Sequence, residues 1–363
     1  MKIAQIAPLG ERVPPKKYGG TERFVHIITE GLVKLGHDVT LFASGDSQTQ
    51  ANLLPSYPYS LREGYFKNPY EAGNIPMLNI GRAYLMQNEF DIIHDHSGYL
   101  SLPTAVLATT PVVMTLHGAF LPEAKRLYEG LKNKKNPYYV SISYAQRKPC
   151  PDINYIANIY HGIDVSDYQF SGDEDGYLLF VGRMNEEKGV HHAIEVAEYL
   201  DLPLIIAAKL DRVDVEYFRH SIKPRLTKKI KWIGEVDTKT RNKLMSHALC
   251  FLHPVTWREP FGLVLIESMA CGTPVVAFNK GSIPEIVKHG KTGFVVEDVG
   301  EMIEYVKRIK SIDRRVCRTH VKENFSAQRM IEEYERVYEK ILSLGQLESI
   351  KKSTTSPASQ VRN

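Results

Sequence analysis

Residues 2–43 of the chain read KIAQIAPLGERVPPKKYGGTERFVHIITEGLVKLGHDVTLFA. The apolar run at 2–7 predicts a strand, and the helical spacing of the apolar side chains after a Pro- and Gly-rich loop predicts an amphipathic helix. Gly36 ends that helix, and a second apolar run at 38–43 predicts the next strand. A strand, a helix and a strand in this order form one unit of a parallel sheet that is covered by helices.

The same alternation of short apolar runs with amphipathic stretches continues along the chain, which predicts an α/β fold with doubly wound parallel sheets. In the first half, residues 45–75 are expected to form an irregular excursion, and further strands are predicted at 91–94, 111–116 and 138–142. The second half predicts a helix at 190–200, a long closing helix at 327–344, and strands at 177–182, 204–208, 230–233, 250–253 and 274–277.

The length of the chain favours two domains, because 363 residues are about twice the usual domain size of roughly 150 residues. An acidic turn at 171–176 precedes the point where the strand pattern restarts. We therefore predict Rossmann-like domains over residues 1–168 and 169–345, with the last helix free to pack back on the first domain, and a polar tail over 346–363. Two such domains face one another across a central cleft, where a ligand is expected.

Composition and charge narrow the function classes. Hydrophobic residues make up 43% and charged residues 24% of the chain, which is typical of a globular protein. The net charge of +4 comes without a recognisable binding module, so no nucleic acid partner is expected. The four cysteines are scattered, so neither a zinc site nor a disulfide framework is predicted, and a cytoplasmic location is expected. No signal peptide or transmembrane segment is predicted.

The segment that is richest in chemistry reads EPFGLVLIESMACGTPVV at residues 259–276. It predicts a loop that carries Glu259, a helix that begins near Gly262, a stop at Gly272 and then a buried strand. At a rise of about 1.5 Å per residue, Glu267 lies roughly 7–8 Å along the axis from Gly262. The helix N-terminus between the two carboxylates offers free N–H groups and a positive dipole end to an anion. A diphosphate there, with sugar hydroxyls near Glu259 and a ribose diol near Glu267, would satisfy every group.

A second cluster, GRMNEEKG at residues 182–189, lies between a predicted strand and a predicted helix. Arg183 can bind two phosphate oxygens with its planar guanidinium, and Lys188 can add a mobile positive charge beside a leaving diphosphate. Taken alone, these cations and the two glutamates could be solvated surface charges. Their joint occurrence at the carboxyl ends of predicted strands favours a ligand site.

These two segments occur together with YGGTE at 18–22, TLHG at 115–118 and HGID at 161–164. In this combination, over about residues 1–345, the chain resembles glycosyltransferase family 4, the retaining enzymes of the GT-B fold. The resemblance implies that the first domain lies on the acceptor side and that the second binds a nucleotide sugar.

The residues that match the family's motifs would act in two ways. Arg183 and Lys188 on the diphosphate, Glu259 on hydroxyls of the hexose and His117 beside the hexose would serve the transfer step. The donor-binding set shares side-chain or backbone contacts with the nucleotide sugar, with Glu267 on the ribose, and consists of Gly19, Gly20, Arg183, Lys188, Glu259, Phe261, Gly262, Leu263 and Glu267.

The resemblance also implies the reaction, which is transfer of a hexose from a nucleotide diphosphate sugar to a hydroxyl acceptor with retention of configuration. UDP-glucose is the first choice of donor and GDP-mannose the second, the acceptor is open, and no metal or other cofactor is expected. Retention is usually explained by a front-face route, which asks the protein to stabilise the leaving group rather than to supply a nucleophile. The alternatives are a GT-B-fold nucleotide-sugar epimerase or phosphorylase, and a catalytically silent subunit that binds sugar nucleotides.

Three further motifs admit a second interpretation. His94 and His96 could share one face of a strand as metal ligands, but no third ligand is evident, so a strand-end loop near the acceptor pocket is preferred. The run GKTG at 290–293 imitates a phosphate-binding loop, but Glu285 stands where that motif needs glycine and is interpreted as a structural or rim carboxylate. The basic residues within 125–135 are interpreted as a solvated surface, with peripheral membrane contact as the alternative.

Overall fold

The computed structural model of the chain describes residues 1–17, 19–63 and 69–355, so that Tyr18 of the glycine loop lies outside the described residues. Within them, the strands form two sheets, and every strand pairing is parallel. The first sheet has the strand order β3-β2-β1-β4-β5-β6-β7. Its strands are β1 (Lys2–Ile6), β2 (Asp38–Phe42), β3 (Asn52–Leu53), β4 (Ile92–Asp95), β5 (Val112–Leu116), β6 (Tyr138–Ser141) and β7 (Tyr155–Asn158).

The second sheet has the strand order β10-β9-β8-β11-β12-β13. Its strands are β8 (Leu178–Arg183), β9 (Leu204–Lys209), β10 (Ile230–Trp232), β11 (Cys250–His253), β12 (Val275–Phe278) and β13 (Gly293–Val296). In each sheet the chain moves outward in one direction from the first strand and then returns to fill the other side, so both sheets are doubly wound, as predicted. The reversal leaves a crevice at the carboxyl ends of β1 and β8, where ligands bind in such folds.

Helices connect the strands of each sheet. Those of the first half are α1 (Gly20–Lys34), α2 (Pro69–Leu85), α3 (Leu102–Ala105), α4 (Pro122–Gly130) and α5 (Tyr144–Arg147). Those of the second half are α6 (Val190–Leu200), α7 (Val215–Tyr217), α8 (Thr238–His247), α9 (Leu263–Ala270), α10 (Ile283–Ile286), α11 (Val299–Lys307), α12 (Arg314–Asn324) and α13 (Ala327–Thr355). Among the described residues, no helix is both long and apolar enough to cross a bilayer.

Several elements differ from the sequence predictions. The stretch 45–75 is not wholly irregular, because β3 adds to the edge of the first sheet and α2 begins at Pro69. The edge strands β7 and β13 were not predicted. β7 is only half-buried along its whole length, and β13 begins at Gly293, inside the run that imitates a phosphate-binding loop. The half-buried β7 carries a weak apolar signal, whereas β13 is a short, mostly buried run of four residues that begins with glycine.

The closing helix α13 is longer than predicted and belongs to the core of the first sheet. It continues to Thr355, so residues 346–355 extend a helix where the sequence predicted a polar tail, and residues 356–363 lie outside the described residues. Met330, Tyr334 and Tyr338 on this helix are fully buried in one apolar cluster with Phe24 of α1. The chain therefore returns from the second half to cover the first sheet.

Gly162 allows the chain to pass close to the start of α13. The backbone N–H of Ile163 donates to the Phe325 carbonyl at 2.9 Å, and the N–H of Ala327 donates to the Ile163 carbonyl at 2.9 Å. A Cβ atom at position 162 would lie 2.3 Å from the Ser326 carbonyl oxygen. Backbone cannot yield as a flexible side chain can, so only glycine permits this pairing.

We expect Gly162→Ala to lower the free energy of unfolding by about 1–3 kcal/mol, because the added methyl group forces two backbone segments apart. Gly130→Ala is the matched control, since a Cβ atom there would meet nothing within 4 Å. Urea unfolding of both variants measures the difference. Equal midpoints for the two variants would show that the junction beside Ser326 yields freely.

Candidate active site

A cavity of about 450 Å³ opens between the two sheets, and residues from both halves of the chain line it. Every residue that the sequence assigned to the site lies along this cavity, although the roles assigned to these residues remain proposals. Those residues are Gly19, Gly20, His117, Arg183, Lys188, Glu259, Phe261, Gly262, Leu263 and Glu267. The carboxyl ends of the parallel strands bring them together from four separate stretches of sequence.

Glu259 is a buried carboxylate held by a cation and one ring N–H group, with a histidine ring beside it. Its Oε2 atom lies 2.6 Å from Lys188 Nζ and accepts a hydrogen bond of 3.1 Å from Trp257 Nε1, and His253 Nε2 lies 3.7 Å away. Burial alone would raise the pKa of Glu259, but the charge of Lys188 and the contact with His253 outweigh it and lower that pKa to about 2. Glu259 is therefore ionised throughout the physiological pH range.

Two loops hold Lys188 and Glu259 next to each other. The N–H of Lys188 donates to Asn185 Oδ1 at 3.0 Å, and the Lys188 ammonium lies 4.8 Å from the centre of the Trp257 ring. Gly281 has a φ of 59°, and a Cβ atom there would lie 2.2 Å from the Glu259 carbonyl oxygen. The neighbouring Ser282 N–H donates to that same carbonyl at 2.9 Å, so the loop after β12 fixes the backbone of Glu259.

The N-terminus of α9 faces the cavity. Gly262 precedes the helix with a φ of 85°, and no side chain caps its first turn. Phe261, Gly262, Leu263 and Val264 all line the cavity. The first-turn N–H groups of a helix lack partners within the helix and carry its positive dipole end, so this turn can bind an anion.

Glu267 is a second buried carboxylate, and its partners come from both halves of the chain. Arg23 of α1 lies 2.6 Å and Arg241 of α8 lies 3.3 Å from Glu267 Oε1, and the Tyr168 hydroxyl donates to that oxygen at 3.2 Å. Burial raises the pKa of Glu267, but Arg241 and Arg23 outweigh it, so the net shift is downward. An ion pair thus crosses the cleft at the position that was assigned to ribose binding.

Arg183 ends β8 and reaches the cavity half-exposed. Its Nε atom is shielded from solvent and has no hydrogen-bond partner among the described residues. Unlike Lys188, Arg183 is not held within 4 Å of a carboxylate there. A guanidinium in this state can donate to an anionic ligand without first breaking an ion pair.

His117 follows β5 and packs against a second histidine. Its ring stacks on His161 with a centroid distance of 5.4 Å and an interplanar angle of 19°, and its Nε2 atom lies 3.1 Å from His96 Nδ1. Burial lowers the pKa of His117 to about 3, so the imidazole is neutral. Its Nδ1 atom is shielded and has no partner among the described residues.

The expectation that His94 and His96 form a strand-end loop near the acceptor pocket is wrong. His94 lies within β4, and both rings are buried and hydrogen-bonded to protein groups. In the described part of the chain, no three His, Cys, Asp or Glu side chains are arranged to hold a metal ion. The alternation of histidines that suggested metal ligands comes from a polar network inside the fold.

Glu285 is structural, as one of its two interpretations predicted. Its carboxylate accepts hydrogen bonds from the backbone N–H groups of Tyr144 and Ala145 at 2.9 and 2.7 Å, and from the Tyr160 hydroxyl at 2.8 Å. It therefore joins the loop after β12 to α5 of the first half. The GKTG run lies in the turn before β13, outside the cavity lining.

Sequence reasoning missed four residues that hold the buried carboxylates: Arg23, Arg241, His253 and Trp257. Arg23 directly follows the glycine motif, one turn into α1, which is the only local signal for it. His253 ends β11 and Trp257 lies in the loop that follows, and the nearness of both to Glu259 in the sequence could have been weighed.

Comparison with known proteins identifies relatives along most of the chain. The family model described as "Glycosyltransferase Family 4" matches residues 18–151, and the model described as "Glycosyl transferases group 1" matches residues 167–323. A phosphatidyl-myo-inositol mannosyltransferase of Propionibacterium freudenreichii is 27% identical over 77% of this chain and 77% of its own. A glycogen synthase of Mycobacterium tuberculosis is 27% identical over 77% of this chain and 79% of its own.

Solved structures show the same fold at low identity. A sucrose-phosphate synthase of Thermosynechococcus elongatus superposes with a TM-score of 0.77 at 18% identity, covering 94% of this chain and 99% of the other. The Anabaena protein HepE, solved in complex with UDP-glucose, superposes with a TM-score of 0.71 at 20% identity, covering 94% of this chain and 100% of the other. The predicted GT-B fold is thereby confirmed.

We expect Lys188→Met to lower the free energy of unfolding at pH 7 by about 3 kcal/mol, because it leaves a buried carboxylate without its cation. Since the pKa of Glu259 falls from its ordinary 4.5 to about 2, this stabilisation is complete above pH 4.5 and is lost as the pH falls toward 2. The difference in free energy of unfolding between variant and wild type should therefore disappear as the pH falls toward 2, and urea unfolding across that pH range measures it. Lys307→Met, which breaks an exposed pair with Glu304, is the control and should leave the midpoint unchanged. A gap that persists at pH 2 would contradict the role of the pair.

Proposed function

The chain belongs to glycosyltransferase family 4, and from that premise we propose that it is a retaining hexosyltransferase that uses a nucleotide diphosphate sugar. UDP-glucose is the proposed donor, with GDP-mannose as the second choice. The acceptor is a hydroxyl group of a molecule that the first half of the chain binds. The loops of that half carry no readable code for its identity.

One observation carries the proposal: Lys188, Glu259 and the N-terminus of α9 line one cavity together with Arg183. Three positive groups around one space suit a diphosphate, which bears its charge on several oxygens. The ionised Glu259 accepts hydrogen bonds but cannot donate them, which suits sugar hydroxyls. Transfer from a nucleotide sugar needs cations beside the leaving group and, at an adjacent position, a hydrogen-bond acceptor for the sugar hydroxyls.

The proposed transfer step depends on leaving-group stabilisation. As the bond between the sugar and the diphosphate breaks, negative charge grows on the phosphate oxygen, where Arg183, Lys188 and the helix N-terminus stabilise it. That oxygen takes the proton of the attacking hydroxyl on the same face, which retains the configuration. Glu259 is held by Lys188 at 2.6 Å and so accepts hydrogen bonds from sugar hydroxyls rather than acting as a nucleophile. The charges of these protein groups take the role that a metal ion has in other transferases, so we propose metal-independent transfer.

The relatives support the donor proposal at different levels. HepE was solved with UDP-glucose, and the mannosyltransferase is, by name, an enzyme that transfers mannose. The mannosyltransferase likeness is the reason to keep GDP-mannose as the second donor. An epimerase of the same fold would act on the donor without any acceptor, a phosphorylase would use inorganic phosphate as the acceptor, and a silent subunit would bind the donor without turnover.

A thermal-shift panel with UDP, GDP and ADP, and then with their sugars, tests the donor. A ligand at 100 times its Kd should add about 2.7 kcal/mol to the free energy of unfolding, which raises the melting temperature measurably. We expect UDP and UDP-glucose to raise it, equally with EDTA and with magnesium. A shift with the guanine nucleotides alone would replace the donor by GDP-mannose, and a shift that requires magnesium would overturn metal independence.

We expect Arg183→Met to lower kcat by about 100-fold, because it removes a group that interacts most strongly with the charge of the transition state. Its effect on stability should be small, since no carboxylate lies within ion-pairing distance of Arg183 in the described residues. The rate is measured as release of the nucleoside diphosphate from the donor, in the presence of an extract that supplies the acceptor. Lys231→Met, an exposed cation outside the cavity lining, is the matched control. Full activity of Arg183→Met would remove this residue from the mechanism.

A further inference from the structure

A buried network of polar side chains lies beneath His117 in the first sheet. The β1–β4 register pairs Gln5 with His94, and His96 directly follows the end of β4. Gln5 and His94 are fully buried, and His96 is 4% exposed. Polar groups at this depth must satisfy one another, so the position of each hydrogen atom is constrained by its neighbours.

The Gln5 amide determines the tautomer of His96. Gln5 Oε1 lies 2.8 Å from His96 Nε2, and a carbonyl oxygen can only accept, so His96 Nε2 carries the hydrogen. Burial lowers the pKa of His96 well below its ordinary value, so the ring is neutral. The Nδ1 atom of His96 is consequently unprotonated and can only accept a hydrogen bond.

The tautomer of His96 in turn determines that of His117. His96 Nδ1 lies 3.1 Å from His117 Nε2, so His117 must supply the hydrogen from Nε2. Because His117 is also neutral, its Nδ1 atom is left unprotonated. That atom has no partner among the described residues, and its ring lines the donor cavity.

We propose that Gln5 and His96 are positioning residues that hold His117 in the Nε2–H tautomer, so that its Nδ1 atom accepts a hydrogen bond from a hydroxyl of the transferred sugar. This inference rests on the proposed function for the identity of the ligand. The tautomer itself depends only on the buried network. The donor sugar is thus recognised through a hydroxyl group that donates a hydrogen bond to this nitrogen. A sugar that is deoxy at that position lacks this hydrogen bond.

The Gln5 amide nitrogen faces the far end of the network. Gln5 Nε2 faces His94 Nδ1 at 3.4 Å, and the Tyr338 hydroxyl of α13 lies 2.6 Å from that same nitrogen. His94 Nε2 lies 2.7 Å from Thr115 Oγ1, which is 2.9 Å from the Tyr334 hydroxyl. Rotating the Gln5 amide by 180° would exchange its oxygen and nitrogen. Donor and acceptor would then be exchanged in each hydrogen bond of the series, and His117 Nδ1 would carry a hydrogen. The two orientations therefore differ in a property that can be measured.

Long-range proton–nitrogen NMR on protein labelled with ¹⁵N-histidine distinguishes a protonated ring nitrogen from an unprotonated one. The signals of His117 are assigned by their loss in His117→Gln. We expect the neutral Nε2–H tautomer in wild type at pH 7, in the absence of any substrate. An Nδ1–H tautomer or an imidazolium would overturn the proposal, and this holds whether or not the protein proves to be a transferase.

Variants then test the positioning residue. Gln5→Met has a similar shape but cannot accept from His96, so we expect a mixture of His117 tautomers and a loss of about tenfold in kcat/KM for the donor. The affinity for UDP alone should stay unchanged, because UDP lacks the transferred hexose. Tyr84→Phe is the matched control, since it also removes a buried hydrogen bond next to the network, from the Tyr84 hydroxyl to Asp95, but removes no hydrogen bond of the Gln5–His96–His117 series. It should keep the wild-type tautomer. A wild-type tautomer and a wild-type kcat/KM in Gln5→Met would overturn the role of Gln5.

Discussion

The ion pair between Lys188 and Glu259 determines how the second half of the chain is arranged around the cavity. An ionised carboxylate that is only 8% exposed is stable when a cation and hydrogen-bond donors replace its water. Those groups come from the loops after β8 and β11, and the loop after β12 fixes the carbonyl of Glu259 through Gly281. The carboxyl ends of three neighbouring strands therefore meet around a single charge, and the N-terminus of α9 lies beside it.

The two halves of the molecule meet at the cleft through charged and polar groups. Glu267 binds Arg23 of the first half and Arg241 of the second, and Glu285 accepts from two backbone N–H groups of α5. Guanidinium and N–H groups are also the groups that bind phosphate. Behind the cleft, α13 returns to bury Tyr334 and Tyr338 in the apolar cluster of the first sheet, and their hydroxyls contact Thr115 and His94. The halves are therefore joined by charged groups at the cleft and by a mainly apolar helix face behind it.

The halves contribute different chemistry to the cavity. The second half supplies ionised groups that suit a charged leaving group, and pairing keeps them ionised despite burial. The first half supplies His117, and burial keeps it and the histidines beneath it neutral. The first half also places Arg23 on Glu267, so paired ions and neutral imidazole rings lie along one cavity.

The sequence by itself determined the fold class, most strand positions and the ten residues along the cavity, because apolar periodicity and glycine-containing motifs are local signals. It did not reveal that Arg23 binds Glu267 or that Tyr338 contacts His94, since each pair is separated by 244 residues. It also misjudged His94 and His96, whose alternation is the same whether they face solvent or a buried network. Only the tertiary structure decided these contacts, because they arise where sheet register, the cleft and the returning helix α13 bring distant segments together. Burial at those places then sets the charge and the tautomer of each group.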